Sequence, residues 1–479
     1  MNRRAKIAVT IGPSSQDEKT IADLIKAGMN VARLNFSHGT HQSHAQIILR
    51  IRSIAQDLSC PIAIMQDLQG PKIRVGEIKT GSVVLVPDQS LTLTIHPIEG
   101  DEKIIPVDLP QLPNFVQAGD RILLDDGQLE LKVISTDDES IHTKVIIGGV
   151  LKSNKGINLP GKKIDLPSLS EKDIEDLKFG LEQNVDAIAL SFVRKPDDII
   201  NIKNIIARLN PVCKDIPIVA KIEKPEALDN LEEIIKLSDG VIVARGDLGV
   251  ELSPALVPIV QKQIITYANN LGKIVFIATQ LLESMITNVR PTRAEASDIA
   301  NAIFDGTDAV LLTGETASGK HPVLVVETMD KIIREAEKHI SEWGRPCTIS
   351  NTLTPSDDAF FVTRAARELA RDRNVAALSV FTKTGRTAQL LAKNRPEVEI
   401  LAFTPNQEVY RQLSMVWGVT PYLVPYVETI ESMISVVDEK LIATSNFKPG
   451  QQMVMVCGFP VKITRPANMT IIHTIGEST

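Results

Sequence analysis

The sequence is poor in cysteine and in aromatic residues. Its 479 residues include four cysteines, two tryptophans and four tyrosines, and aromatic residues make up 4% of the chain. The cysteines, at Cys60, Cys213, Cys347 and Cys457, are far apart and form no CxxC pair. This spacing excludes a zinc ribbon and a disulfide-dense secreted domain. We therefore interpret them as reduced thiols and predict a cytoplasmic protein.

Long apolar runs and a basic excess of charge are also missing. No apolar run is long enough to span a bilayer, and the run within the opening MNRRAKIAVTIGPSS is too short for a signal peptide. The net charge of −7 leaves no general basic surface for nucleic acid. We therefore predict no membrane and no nucleic-acid partner. The length predicts roughly two to four domains.

Short apolar runs alternate with amphipathic, helix-like segments over much of the chain. A βα repeat of this kind predicts a (β/α)8 TIM barrel, whose active site lies at the carboxyl ends of the strands. A doubly wound open sheet is the alternative, but the polar residues that end most of the runs favour a closed barrel. The eight predicted strands are Lys6–Ile11, Asn30–Asn35, Pro61–Asp67, Asp186–Phe192, Pro217–Lys221, Gly240–Arg245, Lys273–Thr279 and Asp308–Thr313.

Two regions interrupt or follow this repeat. Residues 71–166 contain short β-like runs separated by Gly, Asp and Pro turns, and a structureless loop of that length is improbable. We predict a small inserted β-barrel domain there, placed as a lid over the catalytic end of the barrel. Residues 346–479 alternate between helical and strand patterns and predict a C-terminal α/β domain. The barrel domain then comprises residues 1–70 and 167–345.

Charged residues end the fifth and sixth predicted strands. Lys221 and Glu223 are two apart, on one face of an extended segment, and Asp247 follows the next strand. Mg²⁺ is commonly held by one or two carboxylates and by substrate oxygens, so these residues are a candidate metal site facing an anion. A salt-bridged rim is the alternative. Arg33 lies near the end of the second strand, and its planar fork suits a phosphate group; an ion pair with a barrel carboxylate is the alternative.

Three further features of the sequence bear on possible binding sites: a threonine that ends a strand, a loop in the C-terminal region and a pair of histidines. Thr279 ends the seventh strand, where a hydroxyl can orient a substrate or a water molecule. The stretch TKTGRT at residues 382–387 combines hydroxyls, a Gly turn and a helix start, which is typical of an anion site. Because it lies outside the barrel, we interpret it as a regulatory phosphate pocket. The helical spacing of His41 and His44 predicts an exposed face rather than a metal site.

The ordered motifs of the chain resemble those of one family. NVARLNFSHG, DLQGPKIR, KGINLPG, AKIEKPE, VARGDLGVE, ATQLLESM, PTRAEASDIANAIFDGTDAVLLTGETA and TKTGRT occur in the order found in pyruvate kinases. The resemblance covers essentially the whole chain. It implies a phosphotransferase that moves the phosphoryl group of phosphoenolpyruvate to ADP, giving pyruvate and ATP in the last step of glycolysis. It also implies a barrel domain, a lid domain and a C-terminal effector domain, assembled as a homotetramer.

The same resemblance implies roles for individual residues. Glu223 and Asp247 correspond to ligands of Mg²⁺ or Mn²⁺. The implied catalytic residues are Lys221, Arg33 and Thr279, and the amides of Gly246 and Asp247 would meet the substrate carboxylate. The positions associated with the nucleotide are Asn35, His38, Arg74 and Lys155. The effector phosphate loop corresponds to Thr382, Lys383, Thr384, Gly385, Arg386 and Thr387.

The sequence departs from the family pattern at the monovalent-cation site. Many pyruvate kinases require K⁺, held by residues that match Asn35, Ser37, Asp67 and a threonine after that aspartate. Here the threonine position is Leu68, and the usual GPEIR is GPKIR, with Lys72 in place of the glutamate. A lysine ammonium can supply the charge that K⁺ would bring. We therefore predict that K⁺ is not required.

The effector and the reaction class each have alternatives. The tail VCGFPVKITRPANMTII has no clear match to the residues that hold the second phosphate of fructose 1,6-bisphosphate, so AMP or a sugar monophosphate is an alternative allosteric effector. A Mg²⁺-dependent lyase or aldolase would need no nucleotide, and the cations Lys72, Arg74 and Lys155 argue against it. A non-catalytic sensor that binds a phosphorylated metabolite is a further alternative. It would not need the catalytic and metal-binding residues, which are all present: Arg33, Lys221, Glu223, Asp247 and Thr279.

Overall fold

The computed structural model describes residues 3–162, 167–345, 357–444 and 447–477. Cys347 lies outside these ranges, as does one side of each predicted domain boundary at 166/167 and at 345/346. Within the four ranges no helix combines the length and the apolar character needed to cross a membrane.

Eight parallel strands close into a barrel, as the βα repeat predicts. Around the barrel the order is β1-β16-β15-β14-β13-β12-β3-β2, with strands numbered along the whole chain. These strands are β1 (Lys6–Thr10), β2 (Val31–Asn35), β3 (Ala63–Asp67), β12 (Ala187–Leu190), β13 (Ile218–Ile222), β14 (Gly240–Ala244), β15 (Ile274–Ala278) and β16 (Ala309–Leu312).

The alternation of side chains along these strands positions the site. Met65 and Val219 pack in the barrel interior, whereas Ala220 packs outward among the residues of the larger core. Asp67 and Lys221 each follow an interior residue by two positions, so they also point inward. Because both stand at the carboxyl end of a strand, their polar groups meet at one mouth of the barrel.

Helices surround the barrel and cover its apolar outer face. The segment between β13 and β14 forms two short helices that meet at Asn230, and a further short helix follows β14. The helices are α1 (Glu18–Ala27), α2 (His41–Asp57), α4 (Glu171–Glu182), α5 (Pro196–Leu209), α6 (Glu226–Asp229), α7 (Leu231–Leu237), α8 (Arg245–Glu251), α9 (Val257–Asn270), α10 (Arg293–Phe304), α11 (Gly314–Ala317), α12 (Pro322–Lys338) and α13 (Ile340–Trp343), with 3-10 turns at Pro211–Cys213 and Glu283–Ile286.

The segment between β3 and β12 is the predicted inserted β domain, and we call it the lid. Its main sheet is mixed, in the order β11-β7-β8-β9-β5-β6, and β4 pairs with β10 in a separate ribbon. An apolar core of its own lies within it. Its elements are β4 (Ser82–Leu85), β5 (Ser90–Thr94), β6 (Ile104–Pro106), α3 (Leu112–Phe115), β7 (Arg121–Leu124), β8 (Leu129–Thr136), β9 (Ser140–Ile147), β10 (Gly149–Lys152) and β11 (Ile157–Asn158).

The C-terminal α/β domain has a five-stranded sheet in the order β19-β18-β17-β20-β21, with only β21 antiparallel to its neighbour. This fold agrees with the predicted pattern. Its elements are α14 (Asp358–Arg373), β17 (Ala377–Phe381), α15 (Arg386–Lys393), β18 (Glu399–Thr404), α16 (Gln407–Gln412), a 3-10 turn at Leu413–Met415, β19 (Val419–Leu423), α17 (Ile430–Ala443), β20 (Gln452–Cys457) and β21 (Met469–Thr474).

The C-terminal domain covers the amino-terminal end of the barrel. Met415 packs with the interior cluster of the barrel strands. The Ser414 hydroxyl accepts a hydrogen bond from the Ala63 amide, over 3.0 Å, and the Lys6 ammonium donates to the Val419 carbonyl over 2.8 Å. The two domains therefore share a buried contact at the end opposite the predicted site.

Candidate active site

The Lys221 ammonium is the centre of a buried charge cluster at the mouth of the barrel. It donates to the Ser191 hydroxyl over 2.7 Å and lies 2.9 Å from Glu223 Oε1 and 3.3 Å from Asp67 Oδ1. Burial by itself lowers the pKa of Lys221, but Asp67 and Glu223 outweigh it and the pKa is raised. The lysine therefore stays protonated and presents a fixed positive charge.

Arg33 brings a second cation to the same carboxylate. Its Nε lies 2.6 Å from Asp67 Oδ2, and its Nη1 donates to the Thr10 hydroxyl over 2.9 Å. Burial alone would raise the pKa of Asp67, which is 1% exposed, but Arg33 and Lys221 together lower it. Asp67 therefore holds two cations side by side, an arrangement suited to a phosphoryl group.

The two carboxylates predicted to hold a metal have different surroundings. Glu223 is 2% exposed and accepts a hydrogen bond from the Phe192 amide over 2.8 Å. Burial raises the pKa of Glu223, Lys221 opposes this, and the neighbouring Asp247 carboxylate adds to it. Asp247 is partly exposed and faces the cleft. Two repelling carboxylates beside a cleft form an oxygen donor set that fits a hard divalent cation.

Among the described residues, no three or more His, Cys, Asp and Glu side chains are grouped so as to hold a metal. Mg²⁺ is commonly held by one or two carboxylates together with substrate and water oxygens, which is the kind of site that Glu223 and Asp247 would provide.

Thr279 closes the opposite side of the site. Its hydroxyl accepts a hydrogen bond from the Gly246 amide over 2.7 Å and donates to the Ala278 carbonyl over 2.6 Å. Both Gly246 and Asp247 belong to α8, which begins where β14 ends. The structure thus places Thr279 beside the two residues whose amides were predicted to meet a carboxylate.

Lys72 connects the lid to this cluster. Its ammonium lies 3.2 Å from Asp126 Oδ1 of the lid and 3.6 Å from Asp247 Oδ1 of the barrel. Burial by itself lowers the pKa of Lys72, but Asp247 and Asp126 reverse this and raise it. Lys72 therefore pairs with Asp247, one of the two predicted metal carboxylates, and with Asp126 of the lid, whereas Asp67 pairs with Arg33 and Lys221.

The other residues of the predicted monovalent-cation set lie around β2 and β3. Asn35 Oδ1 accepts a hydrogen bond from the Ser37 amide over 3.1 Å. The Leu68 side chain is buried and apolar, and its carbonyl accepts from the Ser191 hydroxyl over 2.8 Å. Leu68 cannot offer the hydroxyl ligand that a threonine would provide there.

Of the predicted nucleotide residues, Asn35 ends β2, whereas His38, Arg74 and Lys155 lie outside the barrel strands and are partly or fully exposed. Lys155 pairs with Asp125 over 2.8 Å, and Arg74 Nη1 donates to the Asn154 carbonyl over 2.9 Å. The side chain of His38 is exposed at its outer edge, in the loop after β2; desolvation by the protein atoms around its inner edge and the cations of Arg74 and Arg33 lower its pKa. His38 is therefore electrostatically coupled to the central cluster, whereas Lys155 has its partner within the lid.

A cleft of about 1130 Å³ separates the lid from the barrel. Lys72, Arg121 and Asp126 line the lid side, and Gly246, Asp247 and Thr279 line the barrel side. A second contact closes its edge: the Asn158 amide group donates to Glu251 Oε1 over 2.8 Å, and Lys224 pairs with the same carboxylate. The cleft is large enough for a small acid together with a nucleotide.

Sequence reasoning missed several residues of this site. Ser191 and Thr10 bind Lys221 and Arg33 directly, and both stand at the carboxyl end of a barrel strand, which was the available signal. The prediction of an exposed face for His44 was wrong. His44 is buried, stacks on the Phe36 ring at 4.2 Å between centroids, and shares a 2.9 Å hydrogen bond with the His38 carbonyl.

The predicted effector loop lines a separate cavity in the C-terminal domain, of about 270 Å³. Gly385 has a φ of 82°, and its amide donates to the Thr382 hydroxyl over 3.0 Å. Three cations line the cavity: Lys383, Arg386 and, from the opposite segment, Arg465. Arg386 also pairs with Asp357.

Comparison with known proteins agrees with this architecture. Residues 2–326 match the family described as "Pyruvate kinase, barrel domain", and residues 361–473 match "Pyruvate kinase, alpha/beta domain". Pyruvate kinase 2 of Synechocystis is 47% identical over 464 residues, covering 95% of this chain and 76% of that relative. Pyruvate kinase of Corynebacterium glutamicum is 42% identical over 479 residues, covering 100% of this chain and 99% of that relative.

A solved structure leads to the same family. The crystal structure of a pyruvate kinase from Cryptosporidium parvum superposes with a TM-score of 0.89 at 36% identity, covering 99% of this chain and 96% of that one. Because family models match residues 2–326 and 361–473, and relatives that are 42–47% identical cover nearly all of it, the chain belongs to the pyruvate kinase family.

Proposed function

We propose that this chain transfers the phosphoryl group of phosphoenolpyruvate to ADP, giving pyruvate and ATP. The observation that carries the proposal is the Lys221 ammonium, held 2.9 Å from Glu223 and 3.3 Å from Asp67, with Arg33 on the same aspartate. Phosphoryl transfer depends on in-line positioning and on cations at the equatorial oxygens. Two fixed cations beside a pair of metal-binding carboxylates provide that environment.

The reaction breaks one bond to phosphorus and forms another. A β-phosphate oxygen of ADP attacks phosphorus, and the bond from phosphorus to the enol oxygen of phosphoenolpyruvate breaks. The electron pair of that bond stays on the enolate of pyruvate. The enolate then takes one proton at its methylene carbon and becomes pyruvate. Lys221 and Arg33 would bind the oxygens of the phosphoryl group while it moves.

Glu223 and Asp247 would hold the divalent ion, which we propose to be Mg²⁺ or Mn²⁺. When bound, this ion supplies Lewis-acid stabilisation of the negative oxygens of the phosphoryl group and the enolate. Glu223 keeps its orientation through the Phe192 amide, and Lys221 balances its charge. Thr279, at the other side of the site, would orient the carboxylate and the proton-donating water.

K⁺ independence is the finer part of the proposal. Lys72 places a permanent ammonium 3.6 Å from Asp247, and the buried Leu68 side chain provides no oxygen ligand next to Asp67. A positive charge already present near the metal carboxylates supports activity without a monovalent cation. The predicted homotetramer, the cytoplasmic location and the domain boundaries remain predictions.

Phosphorus NMR of the purified chain tests the reaction and its cation requirement together. With phosphoenolpyruvate, ADP and Mg²⁺ in K⁺-free buffer, we expect the β- and γ-phosphate signals of ATP to appear as the phosphoenolpyruvate signal declines. K⁺ is then added to the same sample. ATP that appears only after this addition would contradict K⁺ independence and support the kinase. A folded protein that forms no ATP under either condition would refute the proposed function.

We also propose that the C-terminal cavity binds a phosphorylated metabolite that regulates the barrel. Its support is the group of cations from two segments, Lys383 on the loop and Arg465 opposite, around a left-handed Gly385 turn. AMP, a sugar monophosphate and fructose 1,6-bisphosphate are the candidates. We favour a monophosphate because the tail does not match the second phosphate site of the bisphosphate-regulated members.

Titration of these candidates should shift the phosphoenolpyruvate saturation curve. We expect the half-saturating concentration to fall several-fold with the true effector. Lys383→Met should abolish the shift and keep the unregulated rate, because the variant removes a charge from the cavity and not from the barrel. Lys440→Met, on the exposed face of α17, is the matched control and should respond like the original chain. An unaltered response in Lys383→Met would contradict this assignment.

A further inference from the structure

Two consecutive residues at the end of β15 have an unfavourable backbone conformation. Thr279 has a φ of 67° and Gln280 a φ of 53°, both in the left-handed region. This region disfavours side chains other than glycine, and β-branched residues such as threonine most of all. Such conformations persist only where surrounding contacts hold them. The contacts of this turn therefore determine where the Thr279 hydroxyl lies.

One guanidinium group, that of Arg245, holds both residues. Arg245 Nη2 donates to the Thr279 carbonyl and to the Gln280 carbonyl, each over 2.9 Å, and Nε lies 3.3 Å from the Thr279 carbonyl. Its Nη1 lies 2.6 Å from Asp298 Oδ2 and 3.4 Å from Gln261 Oε1. The side chain is 8% exposed. Arg245 is thus fixed on one side and caps the turn on the other.

Gly246, the residue after Arg245, holds the side chain of the same threonine. The Gly246 amide donates to the Thr279 hydroxyl over 2.7 Å, while Arg245 binds the Thr279 carbonyl. The backbone and the hydroxyl of Thr279 are therefore fixed by two consecutive residues at the start of α8. These residues directly precede the metal carboxylate Asp247, so the contact aligns the end of β15 with the end of β14.

We propose that Arg245 is a positioning residue for the proton-transfer half of the reaction, because it holds the left-handed Thr279–Gln280 turn. The inference rests on the proposed function, in which Thr279 orients the water that protonates the enolate. Arg245 itself does not need to contact the substrate. It acts by keeping the Thr279 hydroxyl at a fixed distance from the metal carboxylates.

Lysine cannot replace arginine in this role. The guanidinium is a planar fork that reaches two carbonyls and one carboxylate at the same time, whereas an ammonium is a compact point charge. Arg245→Lys therefore keeps the charge and loses the geometry. The variant separates the positioning effect from a simple electrostatic effect.

Exchange of the pyruvate methyl protons with deuterated water isolates the proton-transfer step. In this reaction a methyl C–H bond breaks to form the enolate, and a deuteron from solvent takes the place of the proton. The assay contains Mg²⁺ and inorganic phosphate in place of the transferred group, and proton NMR follows the methyl signal. We expect Arg245→Lys to slow exchange by about 10- to 100-fold, because displacements of about 1 Å can have such effects. The KM for ADP should stay unchanged.

Two further variants of the same turn separate positioning from folding. Asp298→Asn keeps Arg245 but removes the negative charge that pairs with its guanidinium, and it should slow exchange by a smaller factor. Because the Asp298 side chain is half-exposed, this variant should fold even if Arg245→Lys does not. Gln280→Gly makes a positive φ favourable. Added to Arg245→Lys, it should restore part of the exchange rate.

Arg52→Lys is the matched control at the far end of the barrel. Arg52 also binds two carbonyls, those of Ile62 and Asn184, and the carboxylate of Asp186. Its replacement should leave exchange and turnover unchanged.

The outcomes distinguish the inference from the proposed function. Wild-type exchange rates in folded Arg245→Lys or, where it does not fold, in Asp298→Asn would overturn the positioning role, even while the original chain makes ATP. An equal loss of exchange in Arg52→Lys would overturn it as well, because the effect would then be one of general stability. Failure of the original chain to form ATP would refute the proposed function itself.

Discussion

Replacing Lys221 with methionine is expected to lower kcat by about 10³-fold, or about 4 kcal/mol of transition-state stabilisation. The ammonium lies within 3.3 Å of Asp67, Glu223 and the Ser191 hydroxyl, and its raised pKa keeps it charged. Methionine has a similar length and no charge. Because the lost interaction forms mainly with the moving phosphoryl group, kcat should fall far more than the affinity for ADP changes.

The control for this substitution uses a lysine at the opposite end of the barrel. Lys203 donates to the Leu237 carbonyl over 2.7 Å and lies 3.4 Å from Asp239, which precedes β14. Lys203→Met should leave kcat within about twofold of the original value, because Lys203 lies far from the site and surface ion pairs contribute little to the stability of the fold. Circular dichroism and thermal unfolding establish that both variants are folded. Near-normal turnover in a folded Lys221→Met variant would exclude the assigned role.

Replacing Lys72 with glutamate is expected to make activity depend on K⁺. The substitution replaces a cation 3.6 Å from Asp247 and 3.2 Å from Asp126 by a third carboxylate. The repulsion should lower the K⁺-free rate by about tenfold or more, since a like charge nearby costs at least about 1.4 kcal/mol in such a site. Added K⁺ should restore part of the rate, because an oxygen-rich site can bind it.

Lys72→Met separates the loss of a cation from the gain of a cation site. This variant removes the same charge and adds no carboxylate, so its rate should fall without recovery in K⁺. Initial rates measured across a K⁺ series, at constant ionic strength, compare the two variants. An unchanged K⁺-free rate in Lys72→Glu would contradict the role of Lys72. Equal recovery of both variants would show that K⁺ acts elsewhere.

The parts of this fold that a sequence can predict are those with a local periodic signal. Met65 and Asp67, or Val219 and Lys221, share one face of a strand, so their common direction follows from a period of two. Eight such strands predict the barrel, and the mouth follows from where the polar residues stand. The inserted β domain was predictable because Gly, Asp and Pro turns separate its short runs.

The rest depends on contacts between distant parts of the chain. Arg245 and Thr279 are separated by 34 residues, and no local pattern indicates that one caps the other. The helical spacing of His41 and His44 predicted that His44 lies on an exposed helix face. In the structure His44 is instead buried, where it stacks on the Phe36 ring and hydrogen-bonds to the His38 carbonyl. Tertiary contacts determine such positions, and the pattern around a single residue does not contain them.

The covered base of the barrel has a consequence for synthesis of the chain. Met415, Ser414 and Val419 contact the amino-terminal ends of strands that are made first, such as those beginning at Lys6 and Ala63. Domains generally fold in the order in which the ribosome makes them. The base of a nascent barrel is therefore exposed to solvent until residues 414–419 have been translated, and a chain truncated before Ser414 would lack the contacts that cover this base.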